Sequence, residues 1–171
     1  TTLELGGKSP CVLEAGCDVR AAARKIAHAK LLNAGQTCIA PDYVLLPRGS
    51  EAAFVDAFSQ AALQMYPSFQ GNADYVSLIH AGHASRIDAM LAQAQQLGAQ
   101  VLRLVDSGNE PQNRMGDGIS RQLAPALVLG TTPEMVLMQE EIFGPVLPVV
   151  VYHEREAALD IIHAQETPLA F

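Results

Sequence analysis

Short apolar runs alternate with helical periodicity along this chain, and no other feature restricts its fold as much. Pro10–Glu14, Tyr43–Leu46, Val101–Val105, Ala126–Leu129 and Val146–Tyr152 read as buried strands, several of them bounded by Pro or Gly. Between the first two, Asp18 fits an N-cap. Val19, Ala22, Ala23, Ile26, Ala27, Lys30, Leu31 and Ala34 then recur at helical spacing until Gly35 offers a C-cap. A second helix starts at Gly49 or Ser50 and runs to about Met65, a third covers Ala84–Leu97 and a last one Glu154–Ala164. Tyr66–Asp74 and the Gly-, Asn- and Pro-rich Asp106–Ile119 read as loops. Strands alternating with helices of this length predict an α/β fold: an open, twisted, mostly parallel sheet with helices on both faces.

At 171 residues, with 49% hydrophobic and 17% charged residues, the chain can bury a core of its own and lies far from disordered compositions. Its net charge of −7 argues against a nucleic-acid partner, which would need clustered Lys and Arg. No apolar run approaches the roughly 20 residues that cross a bilayer, and Pro148 interrupts the longest one. No segment reads as a signal peptide. Three cysteines, an odd number, suit a reducing compartment, so the expected location is cytoplasmic. The chain opens on Thr1 rather than Met and closes on TPLAF, which reads as a piece cut from a longer protein.

Several familiar motifs fall away on spacing. GGKS at Gly6–Ser9 resembles the end of a phosphate-binding loop, but Thr2 stands where that loop needs its first glycine. Gly116 and Gly118 begin a dinucleotide fingerprint that Arg121 interrupts. His80 and His83 lack a second ligand pair, so they read as a turn that starts a helix and no metal is expected. Cys11 sits in a strand pattern and reads as a small core residue.

Three segments remain whose polar residues packing does not require: LELGGKSP (Leu3–Pro10), NAGQTC (Asn33–Cys38) and MQEEIFGPVLP (Met138–Pro148). Each places them at a turn or strand end. Cys38 alone stays ambiguous between a packed residue and a nucleophile. The preceding helix turns its negative C-terminal end toward it, which works against a thiolate, and no Lys or Arg is closer in sequence than Lys30. If Cys38 reacts, tertiary contacts must activate it. Glu4 is either a solvated carboxylate or a general base held between Leu3 and Leu5, beside glycines that admit a flat ring.

These three strings, in this order and with this separation of Glu4 from Cys38, resemble the aldehyde dehydrogenase superfamily. The wording around them, SPC at Ser9–Cys11 and GQTCIAPDY at Gly35–Tyr43, looks most like its branch for aromatic and medium-chain aldehydes, which includes coniferyl aldehyde dehydrogenases. The resemblance implies covalent catalysis with NAD or NADP. Cys38 would attack the aldehyde carbon to give a thiohemiacetal and then a thioester, and Glu4 would activate the hydrolytic water. By the same resemblance Glu141 binds the nicotinamide ribose, Phe143 lies against the cofactor and Leu5 contacts the carboxamide through its backbone. It also implies that residues 1–171 are a catalytic-domain fragment, inactive alone, of a homo-oligomeric enzyme. A Rossmann-type cofactor domain, the asparagine of the oxyanion hole and a C-terminal segment are then missing. Two other readings stay open: a cysteine hydrolase or acyltransferase, for which only His28 is near in sequence, and a non-catalytic assembly module.

Overall fold

This computed structural model of the chain describes Thr1 and residues 5–105, 114, 115, 118, 119 and 121–171. In chain order the elements are β1 (Pro10–Val12), α1 (Val19–Leu31), β2 (Tyr43–Pro47), α2 (Glu51–Met65), α3 (Ala81–Gln96), β3 (Gln100–Arg103), β4 (Arg114–Met115), β5 (Gly118–Ile119), β6 (Ala126–Leu129), α4 (Val136–Gln139), β7 (Val146–Tyr152) and α5 (Arg155–His163). Five strands form one sheet in the order β1-β2-β7-β6-β3, while β4 and β5 pair separately. All neighbours in the large sheet are parallel except β3, which runs antiparallel to β6.

Period-2 alternation decides which helix covers which face. Val44 and Leu46 of β2 point into a core with Leu31, Phe54 and Phe58, beneath α1 and α2. Tyr43 and Leu45 point the other way, into a second core with Ile87 and Leu91 of α3, Leu137 of α4 and Ala158 of α5. The predicted α/β sheet with helices on both faces is therefore the observed one.

Boundaries shift where tertiary contacts override local pattern. Asp18 caps α1 as predicted, its Oδ1 accepting from Ala21 N at 2.9 Å. The helix stops at Leu31, however, and a 3-10 turn follows in which Asn33 and Ala34 both have φ of 52°. α3 begins at Ala81 rather than Ala84, because His80 acts as its N-cap through a ring nitrogen. The short α4 and the β4–β5 ladder carry no periodicity and were not foreseen; the rest of the predicted Asp106–Ile119 loop lies outside the described residues. Among the described residues no helix is long and apolar enough to cross a membrane.

Candidate active site

Parallel neighbours bring their preceding loops to the same side of a sheet. The register Pro10↔Tyr43 and Val44↔Val149 aligns β1, β2 and β7, so the segments before them, Leu5–Ser9, Thr37–Asp42 and Glu140–Pro145, reach one edge together. The described parts of all three sequence-predicted motifs thus converge. The edge is the N-terminal one, opposite to the carboxyl end at which open α/β sheets usually bind ligands.

A buried ionic tie joins the three segments. Lys8 is 6% exposed, forms an ion pair with Asp42, and donates to Leu137 O at 2.8 Å and Glu140 O at 3.0 Å. Asp42 is 3% exposed and accepts from Ile142 N at 2.9 Å, while its own N–H donates to Ser9 O at 2.8 Å. Each charge is paired and hydrogen-bonded, as a buried charge must be. Lys30 of α1 is different. It is fully buried and its Nζ has no acceptor among the described residues. Burial pushes its ammonium down to about 8, with the Asp42 carboxylate opposing, Lys8 reinforcing and Glu141 opposing that shift.

Cys38 stands on a turn that these ties hold against the sheet. Gly35 has φ of +74°, and a side chain there would collide with Gly144 O, so the bare Gly35 lets the thiol loop touch the backbone of the Glu140–Pro145 segment, while Gly144 leaves room for Ile87 of α3. The Gln36 amide Nε2 donates to Asn33 O at 3.1 Å and Ser77 O at 3.3 Å, while Oε1 accepts from Ile79 N at 2.9 Å. Ala40 N closes the next turn on Thr37 O at 2.9 Å. That turn lifts Cys38 into solvent beside Ile39, 63% exposed. Cys38 is therefore not a packed core thiol. Cys11 packs at the edge of the core, where burial pushes its thiol up, and Cys17 is exposed.

Glu4 lies outside the described residues, and Leu5 is 63% exposed. Glu141 is half-buried with its carboxylate directly over Gly6: a Cβ on Gly6 would stand 2.7 Å from Glu141 Oε2. Phe143 is half-buried, has φ of 53°, and its carbonyl is 2.7 Å from His83 Nε2. A cavity of about 1020 Å³ opens where Gly6, Gly7, Lys8 and Glu141 face Asp160 and Ile161 across the cleft. A carboxylate laid over a glycine and opening into such a cleft fits the vicinal hydroxyls of a nucleotide ribose. Among the described residues no three His, Cys, Asp or Glu side chains cluster as metal ligands.

A model of the aldehyde dehydrogenase family matches residues 1–170. The chain belongs to the aldehyde dehydrogenase family. It is 40% identical over 169 residues to a coniferyl aldehyde dehydrogenase of a Pseudomonas species, covering 99% of this chain and 34% of that protein. Against the dimeric NADP-preferring aldehyde dehydrogenase of Mus musculus the identity is 36%, over 99% and 34% of the two chains. Staphylococcus aureus AldH in a substrate-bound state superposes with a TM-score of 0.82 at 31% identity, covering 98% of this chain and 35% of that one. NADP-dependent glyceraldehyde-3-phosphate dehydrogenase from Bacillus halodurans, complexed with NADP, gives 0.79 at 26%, over 95% and 32%. The chain spans about a third of the length of these relatives.

Within this aldehyde dehydrogenase chain, sequence reasoning missed Lys8, Asp42, Gln36 and Arg86, and set His83 aside. Lys8 reads in sequence only as a phosphate-loop lysine, and Asp42 carries no signal because its partner lies 34 residues earlier, in the lead into β1. His83 and Arg86 do share a helix face at i, i+3 spacing, a signal visible in the sequence once their target turn is known.

Proposed function

We propose that the longer protein to which this chain belongs oxidises an aldehyde to the carboxylic acid with NAD or NADP, with Cys38 as the nucleophile. The observation that carries this is an exposed cysteine whose loop packs, through Gly35 against the Gly144 carbonyl, on the segment that presents Glu141 and Phe143. Its chemistry needs a thiol open to a small molecule and a cofactor-holding wall next to it, and both border this edge.

As the thiolate, Cys38 bonds through sulfur to the aldehyde carbon while the carbonyl π pair moves onto oxygen, and backbone N–H groups with an amide side chain from outside this chain balance that oxyanion of the thiohemiacetal. A bound nicotinamide dinucleotide would supply the hydride acceptor. Glu141 would hold its ribose hydroxyls, Phe143 would border the ring and the backbone of Leu5 would meet the carboxamide. Loss of hydride from the thiohemiacetal carbon leaves a thioester on Cys38. Glu4 takes a proton from the water that attacks this thioester, and breaking the C–S bond releases the acid and the Cys38 thiolate. The similarity to coniferyl aldehyde dehydrogenases supports an aromatic aldehyde such as coniferyl aldehyde, with a medium-chain aldehyde as the other substrate class proposed. We also assign residues 1–171 to the thiol-bearing part of a cytoplasmic homo-oligomer that is inactive when cut out.

The test is reduction of NAD and NADP by full-length protein with coniferyl aldehyde and a medium-chain aldehyde. Cys38→Ser is expected to cut kcat by about a thousandfold or more. Glu4→Gln should retain a burst of reduced cofactor while slowing steady turnover. Ester hydrolysis with no nicotinamide-dependent oxidation would overturn the dehydrogenase reading in favour of acyl transfer. Equal alkylation of Cys38 and the equally open Cys17 by iodoacetamide would favour an assembly module. Turnover by residues 1–171 alone would sink the inactivity claim.

A further inference from the structure

The carbonyls of three consecutive residues, Glu141, Ile142 and Phe143, all point at two side chains of α3. Arg86 Nη2 donates to Glu141 O at 3.2 Å and to Ile142 O at 2.6 Å, and His83 Nε2 lies 2.7 Å from Phe143 O. A carbonyl only accepts, so Nε2 carries the ring proton and donates it. The arrangement holds a turn that would not hold itself. Phe143 occupies the left-handed region at φ of 53°, which strains a residue with a Cβ and persists only where surroundings over-determine it. Arg86 also reaches the Glu140 carboxylate at 3.4 Å, and from below Asp42 accepts from Ile142 N.

The same stretch grips the thiol loop from its other side. Ile79 N and Ser77 O take up the Gln36 side chain two residues before Cys38. His80 then orders the helix start, its Nδ1 accepting from His83 N at 3.0 Å, so the backbone that carries the His83 ring is itself fixed. Ser77–Arg86 therefore touches both the nucleophile loop and the Glu141–Phe143 turn.

From this geometry we infer that His83 is a positioning residue: by donating from Nε2 to Phe143 O it fixes the Glu141–Phe143 turn that receives the nicotinamide end of the cofactor. It acts through Phe143 and Glu141 and touches no reacting atom. The inference rests on the cofactor-binding role proposed for those two residues, and its primary readout is binding rather than turnover.

The test is fluorescence titration of NADH and NADPH into full-length wild type, His83→Ala and His83→Gln, since a glutamine amide donates from nearly the same reach. Loss of one such hydrogen bond with a strained turn behind it is expected to weaken binding roughly 5- to 10-fold in the alanine variant. The glutamine variant should return to within about twofold of wild type. The aldehyde KM and the iodoacetamide alkylation rate of Cys38 should stay close to wild type in both. Weakened dinucleotide binding rescued by glutamine, in a protein that oxidises no aldehyde, would uphold His83 and overturn the proposed reaction instead. Wild-type affinity in His83→Ala would overturn the inference even where aldehyde oxidation stands. So would a uniform loss of cofactor affinity, Cys38 reactivity and thermal stability that glutamine fails to restore, or a wild type that binds neither dinucleotide.

Discussion

Individual positions at this site are constrained by space more than by chemistry. Gly35 combines a positive φ with a backbone oxygen where its Cβ would be, so Gly35→Ala must distort the thiol loop or push Gly144 away. The expected cost is about 2–4 kcal/mol in urea denaturation, from left-handed strain plus overpacking. At Gly6 the Glu141 carboxylate is the nearest obstacle among the described residues, and the backbone needs no special φ. Gly6→Ala should therefore fold normally yet displace that carboxylate, raising the dinucleotide KM about tenfold while the aldehyde KM holds, as paired steady-state titrations would reveal.

Lys30 shows the opposite case, a buried ammonium with no hydrogen-bond acceptor among the described residues, whose nearby carboxylates do not make up for its burial. Its folded-state value of about 8 lies below the ordinary 10.5, so the unfolded chain binds more protons at this group in between. Stability from this group consequently rises with pH from about 8 to about 10. Lys30→Met should leave stability at neutral pH unchanged or about 1–2 kcal/mol higher and flatten that rise in denaturation curves taken across the window. Above it, Tyr43, pushed up to about 12 by burial and the Asp42 carboxylate, holds its proton longer in the fold and turns the dependence downward.

At the scale of elements, the Lys8–Asp42 pair fastens the leads into β1 and β2 to the segment after α4. Asp42→Ala leaves Lys8 charged and buried and the Ile142 N–H without its acceptor. The expected loss is about 3–5 kcal/mol by chemical denaturation. Helix direction matters at the same edge. α1 runs back from the end of β1 to the start of β2, so its negative end faces the thiol loop, as the sequence suggests. α3, however, leads into the antiparallel strand β3 and so starts at this edge, two residues past the Ile79 N–H that Gln36 holds. Its positive end therefore lies at the same sheet edge as the negative end of α1. That placement was illegible in the sequence, because it depends on the direction of β3, and nothing local distinguishes a parallel strand from an antiparallel one in four residues.

Across the whole molecule, the two cores explain why the fold class was readable. β2 and β7 are apolar on both faces, which only a sheet covered twice can use. The open side chains lie elsewhere: Leu5, Ile39 and Ile79 are 63%, 63% and 70% exposed around the thiol edge. Residues 1–171 expressed alone are expected to bind a hydrophobic dye strongly, and the full-length protein much less per mole. Equal dye binding by both would count against these side chains being covered in the longer protein.

The sequence by itself determined the elements and the chemistry on offer. Short apolar runs and amphipathic periods are local, so strands, helices, the Asp18 cap and the reactive residue types can be read without coordinates. Tertiary structure alone decided what those residues meet. Parallel pairing put three distant motifs on one sheet edge, and the Lys8–Asp42 tie locked them there. Gly35 brought the thiol loop against the Gly144 carbonyl, and His83 came to rest on Phe143. Such pairings join residues far apart in the chain, and their energies depend on burial and geometry that no window of sequence contains.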